Sequence, residues 1–429
     1  SSSSSSSSSS DPHLENVEDI FSWVNEAPNG FVTPKQSVSR MVEGDTETPL
    51  IVVATEDIAR GELLVQVPWS HILKSANDTL DDEVGWYCGT AHALAEEMRK
   101  GADSFYAPYV TYLNDEPDRQ LTHQYSPRAK AVLHQIIGLH NDEFLRSPVF
   151  HRDAADAQRL QPEGIADSLE DHWFGTCRAD RSDEIATKAA SMVIQRADDF
   201  ILIPAYDAYN HRNNDKHNQK HYTNARTLTT PHNYHQTFAL RDIAKGEQIF
   251  ISYNMCEQCT GRKRAYFGTA EMYREYGFVE WFPQRWWYAG FGDVETPELA
   301  QFDLYQEETT ANLTIVWTHF TTEPSKLERF QLFLQSEIRR LNRLKNIQWK
   351  HMEDHHQDHH QDQDRTEQES GMEEDQDRTE QESGITAYEW ANIHRFTDAN
   401  IVAMTLALED IRTNNSSNSN SNSNSGVVG

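Results

Sequence analysis

ILIPAYDAYNH at 201–211 and RDIAKGEQIFISYN at 241–254 decide how this chain is read. Both contain short β-branched, apolar runs of the kind that form strands. The first closes on Asn210 and His211, and the second on Tyr253. Upstream, LIVVATEDIARGELLVQV at 50–67 reads as two strands joined by a turn at Ala59, Arg60 and Gly61. Strand signals recur at FILIP (200–204), TFAL (237–240) and EQIFISY (247–253). Between these β segments, residues 75–195 turn helical, with AHALAEEMRK and SPRAKAVLHQIIGLH as amphipathic stretches.

The rest of the chain separates by composition. Residues 1–10 are all serine and 414–425 alternate Asn and Ser, compositions that cannot offset backbone ordering entropy by burying apolar surface. Tails are expected at 1–16 and 414–429. Leu327, Phe330, Leu334, Ile338, Leu341 and Leu344 recur at helical spacing, as do Trp390, Ile393, Ile401, Met404, Leu408 and Ile411. Two packed helices are predicted within 286–413. A polar stretch at 351–384, in which DQDRTEQESG occurs twice, is expected to loop out between them as a disordered insertion.

Net charge is −30 over 429 residues. That balance excludes nucleic acid as a natural partner, because phosphates reward clustered Lys and Arg; a basic protein partner fits better. No apolar run is long enough to span a bilayer. Four cysteines, Cys88, Cys177, Cys256 and Cys259, are too few for a disulfide scaffold in so long a chain, so a reducing compartment is the expectation, the cytoplasm with nucleus or plastid as alternatives. A monomer is expected. Cys256 and Cys259 form a CxxC that would need further ligands such as His217 or His221 to hold zinc; a free thiol pair is the simpler reading, and no metal is expected. The histidines at 355, 356, 359 and 360 have no rigid frame and read as low complexity.

Taken in order, ATEDIARGELLVQVP at 54–68, ILIPAYDAYNH, RDIAKGEQIFISYN and FGTAEMYREYGFVE at 267–280 resemble the SET methyltransferases of the Rubisco large-subunit lysine methyltransferase and actin-histidine methyltransferase branch. The resemblance implies an α+β fold: a β-rich, pseudoknotted SET domain over 17–285 carrying a helical insertion near 75–195, then a C-terminal helical domain that docks substrate. It implies S-adenosyl-L-methionine as cofactor and a protein side-chain nitrogen as acceptor, lysine more than histidine. Tyr253 would be catalytic. Asn210, His211, Leu50 and Phe278 would meet the cofactor, and Tyr276 would wall the acceptor channel. Arg196 stands where the family often has an arginine for the cofactor carboxylate, with a surface salt bridge as its other reading; Asp207 is expected to brace the Asn-His turn. The chain departs from the family where Gly-x-Gly would precede the first strand, since Pro49 and Ile51 occupy those places. That departure sustains a second reading, a SET-fold binding module with reduced catalysis, and the polar tract a third, a metal buffer or scaffold.

Overall fold

The computed structural model describes residues 11–42, 48–75, 83–116, 121–136, 173–175, 177–198, 201–215, 219–253, 268–289, 299–307, 310–320, 323–366 and 385–422. In chain order the elements begin with α1 (Pro12–Glu26), β1 (Phe31–Val32), β2 (Gln36–Arg40), β3 (Leu50–Ala54), β4 (Leu63–Pro68), α2 (Glu83–Lys100), α3 (Ala107–Asp115), α4 (Pro127–Ile136) and α5 (Glu184–Arg196). They continue with β5 (Asn210–His211), β6 (Ala225–Thr230), β7 (Tyr234–Ala239), β8 (Phe250–Ile251), α6 (Thr269–Tyr276), β9 (Gln284–Ala289), β10 (Leu299–Gln306), β11 (Leu313–His319), α7 (Pro324–Thr366) and α8 (Ala387–Asn422). The mixture is the α+β class expected. Contacts group the chain into two compact units, 1–118 with 168–265, and 119–167 with 266–429. The helical stretch at 75–195 is therefore shared: α2, α3 and α5 belong to the first unit and α4 to the second.

In the first unit an antiparallel sheet runs β1-β4-β7-β6. The turn expected at 59–61 is present, with Gly61 at φ +83°, a value that suits a residue without Cβ. The strands on either side of it do not pair with each other. β3 pairs with β2, whereas β4 lies between β1 and β7. Residues 52–58 instead lie along 243–249, through Ala54 N–H to the Glu247 carbonyl (2.9 Å), Ile249 N–H to the Val52 carbonyl (2.8 Å) and the Ile58–Ile243 bridge. Gly246, also at φ +83°, turns the chain at the start of that run. Among the described residues of the FILIP stretch there are isolated bridges, Leu73–Leu202 and Asp198–Ile201, in place of the predicted strand.

Helices close the sheets. α1 starts at Asp11, whose carboxylate caps the His13 N–H at 3.0 Å, and buries Val17, Ile20, Phe21 and Val24 at three- and four-residue spacing. α2 and α5 meet through small side chains, Ala91 and Ala95 on one and Ala186, Ala189 and Ala190 on the other. A disulfide joins Cys88 of α2 to Cys177, with Cα atoms 5.6 Å apart. This corrects the expectation of unpaired cysteines: the two are 89 residues apart, and only the fold makes them neighbours. Cys256, Cys259, His217 and the basic run 262–264 lie outside the described residues.

The second unit adds a feature that the helical expectation omitted, an antiparallel sheet β11-β10-β9. Its period-2 signal is legible in QRWWYA and LAQFDLYQ, whose inward residues Trp286, Tyr288, Ala300, Phe302 and Leu304 pack with Phe330 and Leu334 of α7 and Phe396 and Met404 of α8. Arg285 and Asp303, paired across β9 and β10, form a buried two-point ion pair at 2.7 and 2.9 Å. α8 opens with a capping box, Thr386 to the Glu389 N–H and Glu389 to the Thr386 N–H; the same carboxylate reaches Ser126 ahead of α4. The two predicted helices are thus present. α7 continues to Thr366 and α8 to Asn422, so both extend into stretches expected to be unstructured. The α7 extension is mostly His and Asp, weak helix formers, so composition does not explain it, nor does it explain the helix at the Asn/Ser end of α8. No helix among the described residues is long and apolar enough to cross a membrane.

Candidate active site

Two short parallel strands organise the site. Asn210 pairs with Phe250 and His211 with Ile251, so the end of one motif lies beside the end of the other. β3 then joins from the side: the Asn210 amide Nδ2 donates to the Leu50 carbonyl at 2.7 Å. Leu50 and Ile51 are ordinary strand, in register with Arg40 and Ser39, and neither has a positive φ. The β-branched Ile51 thus sits where glycine is expected without backbone strain.

Tyr253 is held at both ends. Its backbone N–H donates to His211 Nδ1 at 3.0 Å and its hydroxyl donates to the Tyr209 carbonyl at 2.8 Å. With Nδ1 an acceptor, the neutral imidazole carries its proton on Nε2. The two rings lie 5.3 Å apart, tilted by 36°. Burial raises the Tyr253 hydroxyl well above the ordinary tyrosine value; nearby Arg196 pulls it down and Asp207 and Glu116 push it up. The phenol is therefore protonated at physiological pH.

Behind this lies a buried polar network. Arg196, the last residue of α5, donates through Nη2 to Glu116 at 2.6 Å and through Nη1 to the Tyr112 hydroxyl at 2.8 Å, with Asp207 Oδ2 at 3.5 Å. Its guanidinium also lies 4.9 Å from the Tyr112 ring centroid. Arg196 and Glu116 side chains are each 12% exposed, so the ion pair is largely shielded from solvent, not the surface bridge considered from sequence. Asp207 accepts from the Tyr109 hydroxyl at 2.8 Å and is 3% exposed. Burial pushes its carboxyl up to about 6, opposed by Arg196 and by the Tyr109 hydrogen bond. Among the described residues, Asp207 Oδ1 and Arg196 Nε are buried without a hydrogen-bond partner.

The structure thus brings together Leu50, Asn210, His211 and Tyr253, and links Asp207 to Arg196. Tyr276 and Phe278 belong to the second unit, half-buried, with ring centroids 6.4 Å apart on either side of Gly277. Gly277, at φ +77°, ends α6 in the left-handed conformation that glycine adopts without penalty. The sequence reading missed Tyr109, Tyr112 and Glu116. Tyr109 and Tyr112 lie three apart on one face of α3 and Glu116 follows its last residue, a spacing present in the text but buried in a stretch read only as insertion. Among the described residues no group of His, Cys, Asp and Glu is arranged to hold a metal ion.

Among the solved structures similar to this chain are three of LSMT. Rubisco LSMT bound to sinefungin and monomethyllysine is 18% identical, covering 75% of this chain and 70% of that one, with a TM-score of 0.40. The SET domain of LSMT bound to lysine and AdoHcy is 14% identical over 93% and 92%, with a TM-score of 0.44. Rubisco LSMT bound to AdoMet is 14% identical over 92% and 90%, with a TM-score of 0.45. No curated protein matches the chain. The SET domain family model matches residues 50–254. This chain therefore carries a SET domain, and Leu50, Asn210, His211 and Tyr253 all fall within it.

Proposed function

We propose that this chain is an S-adenosyl-L-methionine-dependent protein methyltransferase that modifies a side-chain nitrogen, lysine in preference to histidine. The observation that carries the reading is the convergence of β3, the Asn-His strand and Tyr253 inside a SET domain. The donor set suits an adenosyl amino acid: backbone and amide groups at Leu50, Asn210 and His211 can meet its polar edges. Arg196 suits it less, because both terminal nitrogens already serve Glu116, Tyr112 and Asp207. When bound, the cofactor supplies a methyl group activated by its sulfonium.

The protein's own part is positioning. Tyr253, protonated and tethered to Tyr209, orients an acceptor amine, and desolvation of the amine beside it lowers the amine's pKa toward the neutral form that carries the lone pair. The net charge of −30 steers basic protein substrates toward the surface. A second reading, a binding module with reduced catalysis, draws on Ile51 in the place of a glycine. Incubating the purified chain with methyl-labelled cofactor and a mixture of basic proteins separates them. Label should enter protein, and Tyr253→Phe should cut the rate by about two orders of magnitude while cofactor affinity holds. Equal labelling by the variant would remove Tyr253 from the reaction.

A further inference from the structure

We propose that Asp207 is a positioning residue for the transfer, setting the direction of the Tyr253 hydroxyl through the turn that carries the Tyr209 carbonyl. The proposal rests on the reading that this hydroxyl serves methyl transfer.

The turn in question is 205–209. Ala205 opens it at φ +66°, a left-handed conformation that a residue with a Cβ keeps only when its surroundings over-determine it. Residues 206–208 form one turn of 3-10 helix, and the Tyr209 carbonyl that follows receives the Tyr253 hydroxyl. The next two residues are Asn210 and His211. These two are pinned separately by their pairing with Phe250 and Ile251, so an error in this turn falls on the hydroxyl's partner, the Tyr209 carbonyl.

Tyr209 donates its hydroxyl to Gln36 at 2.8 Å and Tyr206 packs on the His235 ring, so the turn is held at several points; Asp207 is its charged anchor, tied to the helices. Tyr109 of α3 donates to its Oδ2, and Arg196 of α5 reaches the same oxygen. Arg196 is in turn fixed by Glu116 and Tyr112, again from the α3 end. The line of contacts runs from the helical insertion through Asp207 and the Tyr209 carbonyl to the Tyr253 hydroxyl. A buried carboxylate is an expensive way to pin a turn, since burial alone favours its neutral form. Such groups concentrate where geometry matters for chemistry. Arg196 takes part as the counter-charge of this clamp.

A double-mutant cycle between Asp207→Asn and Tyr253→Phe tests the proposal. Asp207→Asn should lower kcat on the order of ten-fold with KM for the protein substrate and cofactor affinity little changed, the pattern of a lost orientation. Placed in the Tyr253→Phe background it should cost nothing further, because the hydroxyl it aims is gone. Tyr109→Phe, which removes one hydroxyl, is the milder variant and should show the same pattern at smaller size if Asp207→Asn fails to fold. The thermal midpoints form a parallel cycle that needs no activity: the double variant's shift should be smaller than the sum of the single shifts. An undiminished fall in kcat in the Tyr253→Phe background, or additive midpoints, overturns the proposal. A wild-type chain that transfers no methyl group would instead defeat the methyltransferase reading, leaving the midpoint cycle to decide the positioning claim.

Discussion

Asn210→Asp isolates the contact that joins the first strand to the Asn-His strand. The change keeps shape and replaces the donor Nδ2 by an acceptor oxygen, so a carboxylate would face the Leu50 carbonyl across the 2.7 Å now closed by a hydrogen bond. Losing the bond and leaving the carbonyl unmet costs about 1 kcal/mol, and the opposed oxygens add on the order of another 1 kcal/mol at this half-buried position. The sign with pH follows from protonation. The acid form can donate as the amide does, so the folded-state pKa rises above the unfolded value near about 3.9. The destabilisation is thus absent below about pH 4 and grows as pH rises through the folded pKa. Urea unfolding at about pH 4 and about pH 8 reads this directly. Asn210→Asp should fall about 2 kcal/mol below wild type at the higher pH, below Asn210→Ala as well, and recover at the lower. A variant as stable as wild type at both values would mean that the amide does not donate to Leu50.

Cys88→Ser opens a cross-link between residues 89 apart, and the chain-entropy model puts the loss at about 4–5 kcal/mol, measured by urea unfolding with and without reductant. If reductant does not change wild-type stability, the pair is not bonded in solution. Asp303→Ala strands the buried Arg285 guanidinium and should cost about 3–5 kcal/mol in the second unit. Burial pushes the Glu271 carboxyl from 4.5 up to about 7, so its ionisation opposes folding: the penalty is absent below the unfolded pKa and accumulates as pH rises to the folded one. Glu271→Gln, which can still accept from Gly268 and Trp287, should gain up to about 3 kcal/mol on wild type between about pH 4 and about pH 8. A pH-independent difference in unfolding free energy would contradict that.

Much of the candidate site was legible because it is written in short strands. Asn210, His211 and Tyr253 sit at their ends, and a period-2 apolar run announces itself within a few residues. The strand register was less accessible. β3 and β4 read as a pair because they flank a good turn, yet each finds its partner elsewhere, and pairing is decided by tertiary packing. The Cys88–Cys177 bond and the contacts that tie Arg196 to Tyr112 and Glu116 were hidden for a related reason, since 89 residues separate the cysteines and 84 separate Arg196 from Tyr112, and nothing local links them. The sheet β9–β11 is a different case. Its alternation of aromatic and polar residues was present, and the longer helical runs after it dominated the reading of that region.

Cofactor binding tests the central claim most directly. Isothermal titration of S-adenosyl-L-methionine into the purified chain should give saturable, one-to-one binding that Asn210→Ala weakens at least ten-fold, about 1.4 kcal/mol, while Tyr253→Phe leaves it close to wild type. A folded wild-type chain that takes up no S-adenosyl-L-methionine, or binds it equally well without the Asn210 amide, would contradict the account.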